Sequence, residues 1–273
     1  MRPPRPVAYS RTVFALESGS GTPVVLLHGF GLDHRSLLPL EPTFERSGGW
    51  RRIYLDLPGA TGSPAGAVSS AQEVADATVE EVLARVGDEP FAVLGSSFGG
   101  MIARHVAHEL RPRVLGLATL VSVFIAQHDR RTVPPRTVLR QDPAVEPLLG
   151  PALDQYREVA VVESTDDARA FAQYLLPGLD GADQTALDRI AENYSLDHEP
   201  EDKHPDPFVR PTLHITARQD DVVGHSDAWN RIDHYPRASF ASLDAAGHNV
   251  LFEQPDLCSA LVLDWLARIR QGG

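Results

Sequence analysis

Between a run of buried-strand type, Phe91-Ala92-Val93-Leu94, and a helix-like run beginning at Gly100 stand Gly95-Ser96-Ser97-Phe98-Gly99. A G-x-S-x-G stretch in that setting, strand then sharp turn then helix, holds its central serine out at a strand end. Glycines flank the serine because the turn is tight and the surrounding backbone packs closely. A serine hydroxyl is a weak nucleophile at neutral pH until a neighbouring base takes its proton. Ser97 therefore asks the rest of the chain for a base, an orienting acid and a place for a developing oxyanion. Ser96, which such a turn does not expose, reads as a structural neighbour.

The pattern around this turn is a repeating one. Short apolar runs over 23–28, 52–56, 91–94, 114–123, 212–216 and 238–243 read as buried strands. Between them, 72–86 carries Val74, Val79, Val82, Leu83 and Val86 at helical spacing. Met101, Ile102, Val106 and Leu110 repeat that spacing before Pro112, and 255–269 reads as a closing helix. The fold class expected is α/β, a mainly parallel twisted sheet with helices on both faces. One stretch breaks the rhythm. From 125 to 209 no strand pattern stands out, while 153–162, 167–176 and 184–194 look helical. Residues 1–124 and 210–273 are thus read as two parts of one core domain, and 125–209 as a helical cap over the strand ends. Phe171, Tyr174, Leu175 and Leu176 fit an apolar cap face that covers the sheet or lines a pocket.

Charge and cysteine content narrow the classes of partner. The formal charge of −12 argues against a general nucleic-acid or anionic-membrane binder, and Arg51-Arg52 and Arg130-Arg131 are isolated pairs. Cys258 is the only cysteine, which excludes an internal disulfide and points to a reducing compartment, the cytoplasm. The start, Met1-Arg2-Pro3-Pro4-Arg5-Pro6, is basic but has no apolar run behind it and is read as no signal peptide. No uncharged stretch is long enough for stable membrane insertion. Lys203 is the only lysine beside abundant arginine, a bias of GC-rich bacterial genomes. The oligomeric state leaves no mark.

A base is needed downstream of the serine, and His248 in Asp244-Ala245-Ala246-Gly247-His248-Asn249 follows the strand pattern ending at Leu243. An orienting carboxylate belongs between serine and histidine in this chain order. Asp220 and Asp221 both follow the strand pattern over 212–216, and either is able to accept the imidazole Nδ1–H. His105, His108 and Glu109 lack the H-E-x-x-H spacing of a metal site and read as a polar helix flank.

With these residues in view the chain resembles an α/β-hydrolase fold protein over nearly all its length outside the insertion. His28-Gly29-Phe30-Gly31 resembles the family's oxyanion-loop motif after its third strand, and Asp56-Leu57-Pro58-Gly59 resembles the D-x-P-G turn after its fourth. Residues 95–100 match the elbow, the segment from Ala217 resembles the G-x-x-D-x-x-V acid loop, and Gly247-His248 resembles the G-H pair. Ala217 stands where Gly is common, and Thr61 where a second Gly often follows the turn. The resemblance implies Ser97 as nucleophile, His248 as base, and Asp220 rather than Asp221 as acid. It also implies an oxyanion hole of the Phe30 and Phe98 backbone N–H groups, with His28 shaping that loop and Asp56 its turn. It calls for no cofactor and no metal, and for a small-molecule substrate. Relatives that open epoxides or remove halides typically use a carboxylate nucleophile, which Ser97 disfavours. The activity expected is hydrolysis of a small or medium, largely apolar carboxylic ester. Lactone, thioester, amino-terminal peptide and carbon–carbon cleavage share the triad. Cleavage of a vinylogous diketone acid would want a cation such as Arg130, Arg131 or Arg136 for the substrate carboxylate. A lyase or a ligand receptor on the same fold is a further alternative.

Overall fold

The structure is a computed structural model and describes residues 13–272; the reading of the basic N-terminus lies outside the described residues. Seven strands form one sheet in the order β1-β3-β2-β4-β5-β6-β7. They are β1 (Ala15–Gly19), β2 (Thr22–Leu27), β3 (Trp50–Leu55), β4 (Phe91–Ser96), β5 (Val114–Leu120), β6 (Thr212–Ala217) and β7 (Ala238–Leu243). Every neighbouring pair is parallel except β1 with β3. Strands β2, β4 and β5 read as nearly unbroken apolar runs because helices cover both of their faces.

The sheet departs from the sequence reading at two places. Strand β1 was not expected: Leu16, Glu17 and Ser18 at an antiparallel edge are only partly covered and make no apolar run. Strand β5 ends at Leu120 instead of reaching Val123, because Val121 turns into the left-handed region at φ 39°. A β-branched residue there is strained, and the strain is held by neighbours: Val121 N–H donates to Ile215 O at 2.8 Å and Val123 N–H to Ser97 O at 3.1 Å.

The covering helices are α1 (Glu41–Ser47) packed on the C-terminal α12 (Pro255–Gly272) on one face, and α2 (Ala71–Val86) packed on α3 (Phe98–Glu109) on the other. Helix α2 begins where Ser70 Oγ accepts the Glu73 N–H at 3.2 Å while Glu73 reaches back to the Ser69 N–H at 2.7 Å, a reciprocal cap of two otherwise unpaired donors.

Between β5 and β6 the chain forms α4 (Glu146–Leu149), α5 (Leu153–Val159), α6 (Thr165–Ala170), α7 (Leu176–Gly181), α8 (Gln184–Ala191) and α9 (Pro200–Lys203). The helix expected over 167–176 is instead α6, a π-helical turn Phe171–Leu175, and α7. Pro177, at the start of α7, has no N–H to continue the α ladder, so the turn ahead of it widens. Helix α5 stops at Val159 because Ala160 is extended, and Val162 forms an isolated bridge with Arg140. Val145, Leu149, Tyr156, Ala168, Phe171 and Leu175 give this insertion its own small core, joined to the sheet domain through Leu32 and Phe252. Two short helices, α10 (Ser226–Trp229) and α11 (Val250–Glu253), follow β6 and β7. Among the described residues no helix is long and apolar enough to cross a membrane.

Candidate active site

The sheet itself chooses where a site can form. From β2 the chain steps to β3 on one side and later crosses to β4 on the other, so connections leave the carboxyl ends of β2 and β4 in opposite directions. Ligands bind in the crevice opened at such a reversal. The loop after β2 holds Gly29 and Phe30; the turn after β4 holds Ser97.

Ser97 has φ 53° and ψ −118°, a conformation an L residue adopts at a cost of order 1–3 kcal/mol. Its N–H donates to Leu120 O at 2.9 Å, and its own carbonyl accepts from Gly100 and Val123. The flanking glycines are required by close approach: a Cβ on Gly95 would collide with the Gly99 carbonyl, and one on Gly99 with the carbonyls of Leu27 and His28. The hydroxyl is thereby aimed at His248, whose Nε2 lies 2.9 Å from Ser97 Oγ.

His248 Nδ1 lies 3.0 Å from Asp220 Oδ2. An ionised carboxylate only accepts, so Nδ1 carries the proton and Nε2 is free to accept from the serine hydroxyl. Asp220 is fully buried, and its Oδ1 accepts the N–H groups of Val222 at 2.9 Å and Val223 at 3.1 Å. Asp221 turns away, its carboxylate 3.7 Å from Arg136 Nε.

The N–H groups of Phe30 and Phe98 make no hydrogen bond among the described residues, and Phe98 opens α3, where leading N–H groups lack intrahelical partners. Their rings pack edge to face 5.2 Å apart, and Tyr194 of the insertion closes a trio at 5.2 Å from Phe30 and 5.1 Å from Phe98. His28 is buried beneath them: its Nδ1–H donates to Gly29 O at 2.7 Å, and its Nε2 accepts the Leu57 N–H at 2.8 Å. Burial holds the His28 pKa below its ordinary value, so the ring is a neutral clamp between the β2 and β3 loops. Asp56, expected to organise its own turn after β3, instead holds the segment after β2 by accepting the His34 N–H at 2.6 Å.

The other sequence candidates disperse. His105 faces Asp76 at 3.7 Å, His108 lies 3.2 Å from the Tyr235 hydroxyl, and Glu109 pairs with Lys203 and His204. Phe171 and Leu175 border the cavity at Ser97, whereas Tyr174 stacks on Phe252 and Leu176 joins the insertion's core. Arg131 donates to the carbonyls of Ile125, Ala126 and Val222, and Arg136 to those of Arg157 and Ala160. Arg130 lies exposed.

Two features had no counterpart in the sequence reading. Glu253, five positions after His248, accepts the Gly247 N–H on one oxygen and the Val161 and Val162 N–H groups on the other, at 2.6, 2.6 and 3.0 Å. It thus ties the histidine's loop to the insertion, and burial pushes its carboxyl up. On α3, fully buried Arg104 donates from Nη2 to Glu201 at 2.5 Å and Glu199 at 3.0 Å, and from Nη1 to Val123 O at 3.0 Å. The Tyr235 hydroxyl also donates to Glu201. A lone arginine among the histidines of α3 gave no sign of partners so distant in sequence.

A family model described as alpha/beta hydrolase fold matches residues 22–255. The chain belongs to the alpha/beta hydrolase fold family. A search of curated protein sequences gives no match. Among solved structures, an alpha/beta superfamily hydrolase from Oenococcus oeni PSU-1 is similar at a TM-score of 0.86 and 26% identity, over 94% of this chain and 97% of that one. An esterase from Exiguobacterium antarcticum matches at 0.71 and 18% identity, over 93% and 95% of the two chains. A bromoperoxidase from Bacillus anthracis matches at 0.72 and 19% identity, over 93% and 95%. The last two likenesses are of fold. As an alpha/beta hydrolase, the chain presents its serine, histidine and buried aspartate from the loops after β4, β7 and β6.

Proposed function

We propose that this protein is a serine hydrolase that cleaves small or medium, largely apolar carboxylic esters through an acyl-enzyme on Ser97. The observation that carries the reading is the continuous line from Ser97 Oγ through His248 to Asp220, at 2.9 and 3.0 Å. As Oγ attacks the ester carbon, His248 Nε2 takes its proton and the carbonyl electrons move onto oxygen. That oxyanion rests between the Phe30 and Phe98 N–H groups, fixed donors that need no reorganisation when charge appears. The intermediate collapses, the imidazolium protonates the departing alkoxide, and an ester of Ser97 remains. Water, losing a proton to the same Nε2, then releases the acid and restores the serine.

Residues 125–209 act as a cap in this scheme, since Phe171 and Leu175 border the cavity at Ser97 and supply apolar walls. Cleavage of a diketone acid is less well supported, because Arg131 and Arg136 are engaged by backbone carbonyls, Arg136 also facing Asp221. The esterase likeness agrees with a hydrolase without choosing its substrate.

A fluorophosphonate probe is expected to label Ser97, and p-nitrophenyl butyrate to be turned over; Ser97→Ala removes both. Folded wild-type protein that does neither overturns the proposal.

A further inference from the structure

Two chambers meet at the serine, and among the described residues only Phe30, Ser97, Val159 and His248 border both. The narrower, about 250 Å³, runs under the insertion between Phe171, Leu175 and Leu179 above and Leu32, Leu251 and Phe252 below. The wider, about 660 Å³, opens on the other side past Ala126, Gln127, Ala191, Glu192 and Ser195. The first is the narrower and the less open of the two, and both present mostly apolar surface. The second is broader and more open, and Gln127, His128, Asp129, Arg131 and Glu192 stand along it.

Resting on the ester-hydrolase reading, we infer that the narrow chamber holds the acyl group and the wide chamber the leaving group. The order of the two chemical steps requires the asymmetry. After the first step the acyl group stays bonded to Ser97 while the alcohol must depart and water must reach the same carbonyl. A leaving group seated in the narrower chamber would have the tighter way out, and would hinder water until it left. The wide chamber gives both a direct route. The acyl chain loses nothing by enclosure, because each methylene it buries strengthens binding about fourfold.

Volume sets the acyl length. The narrow chamber, at about 250 Å³, has well under half the volume of the wide one, so a lengthening acyl chain outgrows it. Exposed Gln155 and Glu158 also border it, so a chain that outruns the apolar walls meets an amide and a carboxylate. The substrate class is therefore an ester of a short- to medium-chain acid whose alcohol part is free to be large.

The test is kcat/KM along p-nitrophenyl esters from acetate to dodecanoate, for wild type, Leu179→Trp and Ala191→Trp, with butyrate esters of ethanol and of bulky alcohols alongside. Wild type is expected to gain from acetate to about octanoate and to lose beyond it. Leu179→Trp, filling the narrow chamber, lowers the octanoate-to-acetate ratio about tenfold or more. Ala191→Trp, filling the wide one, keeps that ratio within about twofold and lowers bulky-alcohol butyrates against ethyl butyrate about fivefold. The reverse pattern, or an acyl profile that neither substitution moves, overturns the chamber assignment and leaves the hydrolase reading standing. Folded wild type that turns over none of the esters, acetate included, overturns both.

Discussion

The two halves of the cleft are held in place by different means. In the lower half Ser97, Asp220, His248 and Phe30 each stand a few residues beyond a strand, and the ladders of the sheet carry them to one end. Parallel pairing, which puts those strand ends on one side, is what brings them together. The upper half has no ladder. Its short helices are fastened to the sheet domain by buried polar contacts: Glu253 on the backbone of Val161 and Val162, and Arg104 on Glu201, 97 positions away. The lower half therefore follows from local sequence with a strand count, and the upper half from pairings that only the folded chain reveals.

The largest effect is expected in the lower half, from Asp220→Asn. Its amide oxygen can keep the Val222 and Val223 N–H groups, but its amino group faces His248 Nδ1 and favours the tautomer with the proton on Nε2. A base so occupied cannot take the serine proton, and kcat on p-nitrophenyl butyrate falls about 10⁴-fold. A loss under about tenfold would mean that another group orients the imidazole.

The upper half is broken by Glu201→Ala. That substitution strands a fully buried guanidinium, and removing one partner of a buried pair costs about 3–5 kcal/mol. Glu199 still reaches Arg104, so the lower end, about 3 kcal/mol by urea denaturation, is expected. Arg104→Met combined with Glu201→Leu removes both charges and should recover most of the loss, the sign that the unpaired charge rather than a missing contact is responsible.

What could be read beforehand divides along the same line. Strands β2, β4 and β5 were legible because burial on both faces writes an apolar run, and the elbow was legible because Gly95 and Gly99 have no room for a Cβ. The acid was legible as a pair, Asp220 or Asp221, until the loop's likeness to a known pattern selected one. Strand β1 escaped because Glu17, Ser18 and Gly19 follow Ala15 and Leu16 at a partly covered edge and leave no apolar run. Glu253 escaped for a different reason: its partners are backbone N–H groups, which every residue but proline carries, so no side chain marks them. The division of 165–181 turned on Pro177, where a missing donor overrides the helical spacing around it.

Acid should also separate the buried polar network from the rest. Burial lowers the pKa of His108 to about 3 and that of His214 to about 3. A base whose folded pKa is depressed favours the folded state above its unfolded value near 6.5, and that stability is lost as pH falls from there toward 3. Each ring contributes a slope of up to about 1.4 kcal/mol per pH unit in that window. His214→Leu removes one ring, so its stability should fall less steeply than wild type between pH 6.5 and 4 in urea titrations. Parallel curves would mean that His214 is protonated in the folded protein near its ordinary pKa.

The smallest effect is expected where the two carboxylates stand side by side. Asp221 differs from Asp220 by one position, yet its side chain faces Arg136 at 3.7 Å and makes no hydrogen bond to His248. Asp220 has both oxygens committed, one to the imidazole and one to the backbone of Val222 and Val223, and none of its surface reaches solvent. A partly exposed pair such as Asp221–Arg136 is worth about 0–1 kcal/mol. Asp221→Asn should therefore leave kcat/KM on p-nitrophenyl butyrate within about twofold of wild type and lower stability by less than about 1 kcal/mol. If it instead matched Asp220→Asn, the orienting charge would be shared across the loop, and the position of a carboxylate beyond β6 would matter less than the number of them.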